Sequence, residues 1–211
     1  LGSLHYFTQV SPFAGDLFGD FSLNVTNHLT AKYLIDKGLK TLSASYDLNH
    51  LQVQDLLQAS SANQIEVTIH QYMPSFHMEH CVFAAYLSKG SSFKDCGKPC
   101  EKHELQLKDQ FGNHHQIKAD QECRNTMFNA IPYSAIRMVP EWSKLGLGYI
   151  RYEALKERKG ELITKIKAYQ SYLKGELQPE EILSSLKLVE KYGLGEGSMA
   201  RPQEYSSRKK S

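Results

Sequence analysis

The chain lacks several features that mark specialised protein classes. No stretch approaches the roughly 18 uncharged apolar residues of a transmembrane helix, so no spanning segment is expected. Neither sign of charge dominates, because 25 Lys and Arg against 23 Asp and Glu give a net charge of +2. Any nucleic-acid binding must therefore rest on local patches rather than on an overall basic surface. Four cysteines in 211 residues are too few for a disulfide scaffold.

Common catalytic signatures are also missing. No Gly-rich phosphate loop follows a predicted strand, which argues against dinucleotide binding. Neither the Gly-x-Ser-x-Gly elbow of serine hydrolases nor the His-Glu-x-x-His helix of zinc proteases is present. The chain begins at Leu1, without Met and without the basic-then-apolar start of a secretory signal. This start predicts a processed chain or a fragment.

Strand-like and helical segments alternate along much of the sequence. Strands are predicted at residues 21–25, 41–46, 65–70 and 149–155, with a further candidate at 1–7. Repeated strand–helix units imply parallel strands with right-handed crossovers. Because a whole (βα)₈ barrel takes about 250 residues, the sequence predicts an α/β fold that is the second half of a TIM-type barrel, with a cysteine-containing insertion. An open doubly wound sheet is the alternative.

Helix boundaries are signalled at several places. Asn27 is placed to cap a helix that runs to Lys37 and ends at Gly38. Asn49 and Gln52 have the spacing of a capping box, for a helix ending near residue 60. Further helices are predicted around residues 134–145, along 162–173, where Leu162, Ile166, Tyr169 and Leu173 share one face, and from Pro179 onward.

Four segments follow from this pattern. Residues 1–72 hold βα units of the barrel, and residues 73–124 form a cysteine-bearing excursion. Residues 125–192 hold the last βα unit and C-terminal helices, and residues 193–211 are expected to be a disordered tail. The excursion is set apart because it contains all four cysteines and five of the nine histidines.

The cysteines are the most specific chemical feature. Cys96-Gly-Lys-Pro-Cys100 is a C-x₃-C loop, with Cys81 and Cys123 further away on either side. Four thiolates suit a 4Fe–4S cluster or a tetrahedral zinc ion. The spacing does not match a C-x₂-C…C-x₂-C zinc ribbon, so buried unliganded thiols and disulfides remain alternatives.

Polar residues fall near the carboxyl ends of the predicted strands, where barrel enzymes place their active sites. These residues are Asn24, Asp47, His70 and Glu153. His70 is a candidate general acid or hydrogen-bond donor, Glu153 a candidate base or arginine partner, and Asp47 a third catalytic candidate. The alternative for each is a buried polar residue with satisfied hydrogen bonds.

Basic side chains near the cysteines would be needed to bind RNA. The candidates are Lys98, Lys102, Lys108, Arg124 and Arg137. They alternate with acidic residues, so a charge-balanced solvated surface is the competing interpretation.

At these motifs the sequence resembles the collagenase-like peptidase family, the thirty-second among peptidases of unknown catalytic type, over about residues 20–174. The matching motifs are residues 23–27, Tyr46-Asp47-Leu48, Glu66-Val67-Thr68-Ile69-His70, the four cysteines and Arg151-Tyr152-Glu153. Two positions depart from the family pattern. Ser88 stands where many members have a second cysteine, and Ala154-Leu155 stands where Gly-Arg is usual.

The resemblance implies a barrel fold and two competing activities. Some members are described as proteases acting on collagen. Others hold a 4Fe–4S cluster on four cysteines and support oxygen-independent hydroxylation of RNA bases or of a quinone precursor, with prephenate as oxygen source for RNA. It implies a cluster on Cys81, Cys96, Cys100 and Cys123 and favours the RNA-modifying enzyme. The alternatives are a collagenase-like hydrolase and a non-enzymatic module with structural zinc.

Two expectations about surroundings follow. A half barrel has an open sheet edge, so we expect the amino-terminal half of the barrel, or a partner, to cover it. Four liganded thiols suit a reducing interior, which predicts an intracellular location, cytoplasmic or organellar.

Overall fold

The computed structural model describes residues 16–90 and 94–189. Within them the chain divides into two compact units. The described part of the first unit comprises residues 16–70 and 134–153, and that of the second comprises residues 71–90, 94–133 and 154–189. The strand predicted at residues 1–7 and the tail at 193–211 lie outside the described residues.

The described chain contains nine strands and six α-helices. The strands are β1 (Leu17–Gly19), β2 (Leu39–Ser43), β3 (Ile65–Gln71), β4 (Pro74–Met78), β5 (Leu105–Lys108), β6 (His114–Ala119), β7 (Asn125–Phe128), β8 (Tyr133–Ser134) and β9 (Tyr149–Tyr152). The helices are α1 (His28–Asp36), α2 (His50–Ala59), α3 (Val82–Leu87), α4 (Val139–Lys144), α5 (Lys159–Leu173) and α6 (Pro179–Val189). None of the described helices combines the length and apolarity needed to cross a bilayer.

The first unit is a mixed α/β structure built on a parallel sheet. The sheet order is β1-β2-β3-β8, and β9 also pairs with β3. The pairs β1–β2, β2–β3 and β3–β9 are all parallel. The described strands form no closed barrel. The apolar core of this unit includes Leu42, Ile65 and Trp142, all fully buried.

The predicted helix caps of the first unit are confirmed. The Asn27 side chain accepts a hydrogen bond from the Thr30 amide at the start of α1. Asn49 and Gln52 form the reciprocal bonds of a capping box at the start of α2. These local bonds fix both helix starts, because they satisfy amides that have no partner inside the helix.

The strand predicted at residues 21–25 is wrong. Residues Phe21–Leu23 form a 3₁₀ turn, Asn24 has a left-handed backbone with φ 50°, and Val25 makes an isolated parallel bridge to Ala44. The first strand lies earlier, at β1. The Asp20 carboxylate accepts from the Phe21 amide at 2.7 Å, so a local side-chain cap favours the turn over an extended strand.

The second unit contains an antiparallel sheet of order β4-β7-β6-β5. Its buried apolar cluster consists of Phe83 on α3, Ile117 on β6 and Met127 on β7. The excursion predicted at residues 73–124 therefore lies within a folded layer with its own core, which also includes β7. Helices α5 and α6 pack against each other in the same unit.

Candidate functional site

The four cysteines are carried by three separate segments of the second unit. Cys81 directly precedes α3, and Cys100 lies in a 3₁₀ turn, Pro99–Glu101. Cys96 precedes that turn, and Cys123 lies in the connection between β6 and β7. All four are free, partly buried thiols.

The fold gathers these thiols around Cys123. Burial raises the pKa of the Cys123 thiol, and the charges of Cys81, Cys96 and Cys100 raise it further. Such repulsion requires the other three thiolates to lie within electrostatic range. Cys81 and Cys100 also pack against the Phe83 cluster. Residues up to 42 positions apart in the sequence (123 − 81) are thus brought into one neighbourhood.

The backbone at Cys123 is unusual for a cysteine. Its φ is 64°, a left-handed conformation that costs a residue with a Cβ atom roughly 1–2 kcal/mol. The Asp120 carboxylate closes this turn, accepting from the amides of Glu122 and Arg124 at 2.9 Å each. A turn selected only for stability would carry Gly or Asn at this position. The cysteine here thus carries a backbone cost that glycine would avoid.

A glycine lets the Cys96 segment approach the end of α3. A Cβ atom on Gly90 would meet the Asp95 carbonyl oxygen and would lie 2.8 Å from the Cys96 amide nitrogen. Both atoms are backbone atoms, which cannot move aside as a side chain can. Gly97, inside the Cys96–Cys100 loop, has φ 71°.

The four cysteine thiols have the right chemistry to bind zinc or an iron–sulfur cluster, but they do not form a compact metal site. Within residues 16–90 and 94–189, no group of three or more His, Cys, Asp or Glu side chains is arranged to hold a metal ion. A tetrahedral zinc site, with Zn–S bonds of about 2.3 Å, would require sulfurs about 3.8 Å apart. A cluster carries its thiolates on separate iron atoms, so it accepts a wider set of sulfurs.

The first unit brings together the three catalytic candidates. His70 is fully buried on β3, with its ring stacked on that of Tyr152 at a centroid distance of 4.5 Å. The Glu153 amide donates to the His70 carbonyl at 2.9 Å. Asp47 is exposed, and both its charge and that of Glu153 act on the phenol of Tyr46. Burial and these two carboxylates raise the pKa of Tyr46.

An arginine that sequence reasoning did not single out organises this region. Arg151 Nε donates to Glu66 at 2.6 Å, and its Nη1 lies 2.9 Å from Asp20 and 3.5 Å from Glu153. Burial raises the pKa of Glu153, although Arg151 opposes this effect. The sequence contained a partial signal for this arginine. Arg151 and Glu153 are two positions apart in the predicted strand, and alternate residues of a strand share one face.

Four of the five basic candidates divide into two groups, and the fifth, Arg137, lies in a 3₁₀ turn of the first unit. Lys98 pairs with Glu101 at 3.0 Å, and Arg124 pairs with Asp120 at 2.9 Å and Glu122 at 2.8 Å. In the described chain, Lys102 and Lys108 are exposed and have no ion pair. The charge-balanced interpretation thus applies to Lys98 and Arg124, but not to Lys102 and Lys108.

The sequence model of peptidase family U32 matches residues 15–205, most of the chain. The chain belongs to peptidase family U32. This result confirms the family resemblance that the strand and cysteine motifs indicated. Neither a curated protein nor a solved structure matches the chain.

Proposed function

We propose that this U32 chain holds a 4Fe–4S cluster on Cys81, Cys96, Cys100 and Cys123 and supports oxygen-independent hydroxylation of an RNA base. The observation that carries the proposal is the gathering of four free thiols around Cys123, a residue with a costly left-handed backbone. Four thiolates are the usual ligands of such a cluster. An intracellular, reducing compartment would keep them available.

The chain is further proposed to be the carboxyl-terminal half of a TIM-type barrel. Parallel pairing of β1, β2, β3 and β9 supports this topology. One face of the sheet is polar, with Ser43, Glu66 and Arg151 in contact. In a barrel this face would line the interior. Among the described strands β1 pairs only with β2, so the amino-terminal half or a partner would cover its edge.

When bound, the cluster would supply a redox or Lewis-acid centre. The chain's own residues would bind and orient the substrate. Arg151 binds Glu66 through Nε and Asp20 through Nη1, and its guanidinium carries further N–H groups that can donate to a carbonyl oxygen of a base. Glu153, with its raised pKa, can hold or take up a proton at its carboxylate.

The local charge favours a neutral group over a phosphate beside Arg151. Three carboxylates, those of Asp20, Glu66 and Glu153, surround this one guanidinium. A phosphate placed there would be repelled, whereas a nucleobase edge is neutral and offers acceptors to Arg151. In the second unit, the exposed lysines Lys102 and Lys108 are the candidates for contacts to RNA phosphates.

Metal and sulfide analysis of anaerobically purified protein tests the cluster. We expect about four iron and four sulfide per chain, with broad absorbance near about 400 nm. Cys96→Ser and Cys100→Ser should abolish both, while Ser143→Ala, an exposed change on α4, should not. Full iron and sulfide in both cysteine variants would overturn the cluster assignment. One zinc and no sulfide would make the site structural.

Activity and assembly require separate tests. RNA incubated with the loaded protein and prephenate should yield nucleosides that have gained one oxygen, measured by mass spectrometry. Oxygen insertion removes two electrons from the base, so prephenate, the oxygen donor, should be recovered without that oxygen and two electrons more reduced. Cleavage of denatured collagen without RNA modification would favour the peptidase alternative. A well-behaved monomer of the isolated chain in sedimentation would count against an uncovered half-barrel edge.

A further inference from the structure

Asn125 is a fully buried amide beside the cysteines, although it is not itself a metal-ligand type. It begins β7 and shares a strand face with Met127, part of the Phe83 cluster. A polar side chain in an apolar layer is costly unless both its donor and its acceptor are satisfied. Its partners therefore show why it is there.

Both hydrogen bonds of Asn125 go to backbone next to a cysteine. Its Oδ1 accepts from the Val82 amide at 2.9 Å, and its Nδ2 donates to the Cys123 carbonyl at 3.2 Å. Val82 is the first residue of α3, and Cys81, the cap residue, makes no side-chain capping bond. One amide thus supplies the missing cap and also binds the left-handed turn at Cys123.

We propose that Asn125 is a positioning residue of the four-cysteine site, and that its amide fixes the separation of Cys81 and Cys123 before any metal binds. The role of the four-cysteine site rests on the proposed function. The tether, meaning the two hydrogen bonds that join the Cys81 and Cys123 segments through Asn125, does not depend on that function. An amide is required because the group must accept at one atom and donate at the other. Asp cannot donate to the Cys123 carbonyl, and Leu can form neither bond.

Disulfide trapping in the metal-free, reduced protein tests the tether directly. Diamide is added, and the rate of Cys81–Cys123 disulfide formation is compared with that of Cys96–Cys100 by mass spectrometry. In Asn125→Leu and Asn125→Asp the ratio of the two rates should fall about tenfold, which corresponds to about 1.4 kcal/mol and lies within the range for one lost hydrogen bond. A general loss of stability would change both rates together.

The matched control is Gln116→Leu. Gln116 is another buried amide of the same sheet, and its Oε1 accepts from Gln106 at 3.0 Å rather than contacting a cysteine segment. Its variant should keep the wild-type ratio. An unchanged ratio in the Asn125 variants, or an equal fall in the Gln116 variant, would overturn the inference.

Hydrogen exchange of the unmodified protein provides a test that needs no variant to fold. The first amide of a helix ordinarily lacks an intrahelical partner and exchanges quickly. If Asn125 holds it, the Val82 amide should be protected at least tenfold relative to the amide of Gln110, an exposed residue in the turn between β5 and β6; fast exchange at Val82 would contradict the tether. Iron analysis separates the two proposals. A wild-type protein without iron but with an Asn125-dependent ratio refutes only the cluster, and loaded variants with unchanged ratios refute only the tether.

Discussion

Nε of Arg151 on β9 donates to Oε1 of Glu66 on β3 at 2.6 Å. The same carboxylate oxygen accepts from the Ser43 hydroxyl on β2 at 2.5 Å. Polar side chains therefore connect three neighbouring parallel strands on one face. Because Glu66 is 19% exposed and Asp20 is 51% exposed, the two acidic partners of Arg151 should differ in energetic weight.

Removing the charge of Glu66 should destabilise the first unit. Glu66→Gln weakens a sheltered bond to a charged donor, so we expect a loss of about 1–2 kcal/mol in the free energy of unfolding by urea. Asp20→Asn is the matched control, and its exposed ion pair should contribute less than about 1 kcal/mol. Equal losses in the two variants would show that burial does not distinguish them.

Glu153→Gln should impair hydroxylation and leave the cluster bound. A positioned general base typically contributes about 10²–10⁴-fold to the rate, so the modified-nucleoside yield should fall by at least the lower figure. Iron and sulfide should stay at wild-type content because Glu153 is not a proposed ligand.

The pH dependence provides a second readout for Glu153. Its pKa is raised, so a base at this position ionises at a higher pH than an ordinary Glu. Activity should rise through that pH in the wild type, and the ascending limb should be absent in Glu153→Gln. Undiminished turnover in the variant would remove Glu153 from the site.

Cys123→Gly should stabilise the metal-free protein while abolishing cluster binding. Glycine adopts the left-handed φ of 64° without steric cost, so a gain of about 1 kcal/mol in unfolding free energy is expected. Cys100→Gly is the control, since no left-handed backbone is recorded there and glycine should destabilise. A loss of stability in Cys123→Gly would mean that the thiol's packing outweighs the backbone strain.

Gly90→Ala should displace the segment that carries Cys96. The added methyl group meets backbone atoms of Asp95 and Cys96, and overpacking of this kind costs about 1–3 kcal/mol. Iron content should fall as well. In Gly160→Ala, the added methyl group lies in open space near the start of α5, so that variant should keep both stability and iron. Wild-type behaviour of Gly90→Ala would indicate that the segment can shift freely.

The Glu157–Lys165 ion pair should make the second unit sensitive to acid. The two charged groups are 3.1 Å apart, with side-chain exposures of 1% and 2%. Burial disfavours the charged carboxylate, but the Leu155 amide and the Lys165 ammonium outweigh it and lower the pKa of Glu157 to about 2. A lowered carboxyl pKa contributes stability above the unfolded pKa of about 4.3, and this contribution is lost as pH falls toward 2.

Urea unfolding at several pH values measures this effect. The wild-type free energy should fall between about pH 4.3 and pH 2 by on the order of 2–3 kcal/mol from this group. Glu157→Gln should flatten that window and destabilise the protein at neutral pH, because the buried Lys165 side chain loses the Glu157 carboxylate. Restoring neutrality with Lys165→Met in the same chain should recover part of the loss; no recovery would contradict the pairing.

Local features of the fold could be predicted from the sequence. The caps at Asn27 and Asn49 and the strand predicted at residues 65–70 depend on neighbouring residues and on β-branched composition, and all three are confirmed. Helix α5 was also expected, but of the four residues predicted to share one face only Tyr169 is buried, and the burial of Lys165 was not predicted. Lys165 and Tyr169 are buried there, whereas Ile166 and Leu173 are exposed, because a partner for the lysine comes from Glu157.

By itself, the sequence determined the short-range structure and the family: where helices begin, which residue types are available, and that the chain belongs to peptidase family U32. Only the tertiary structure decided which groups meet. The clustering of thiols around Cys123, the two bonds of Asn125 and the carboxylates around Arg151 join residues far apart in the chain. Such contacts depend on chain reversal and on burial, which a local pattern does not encode.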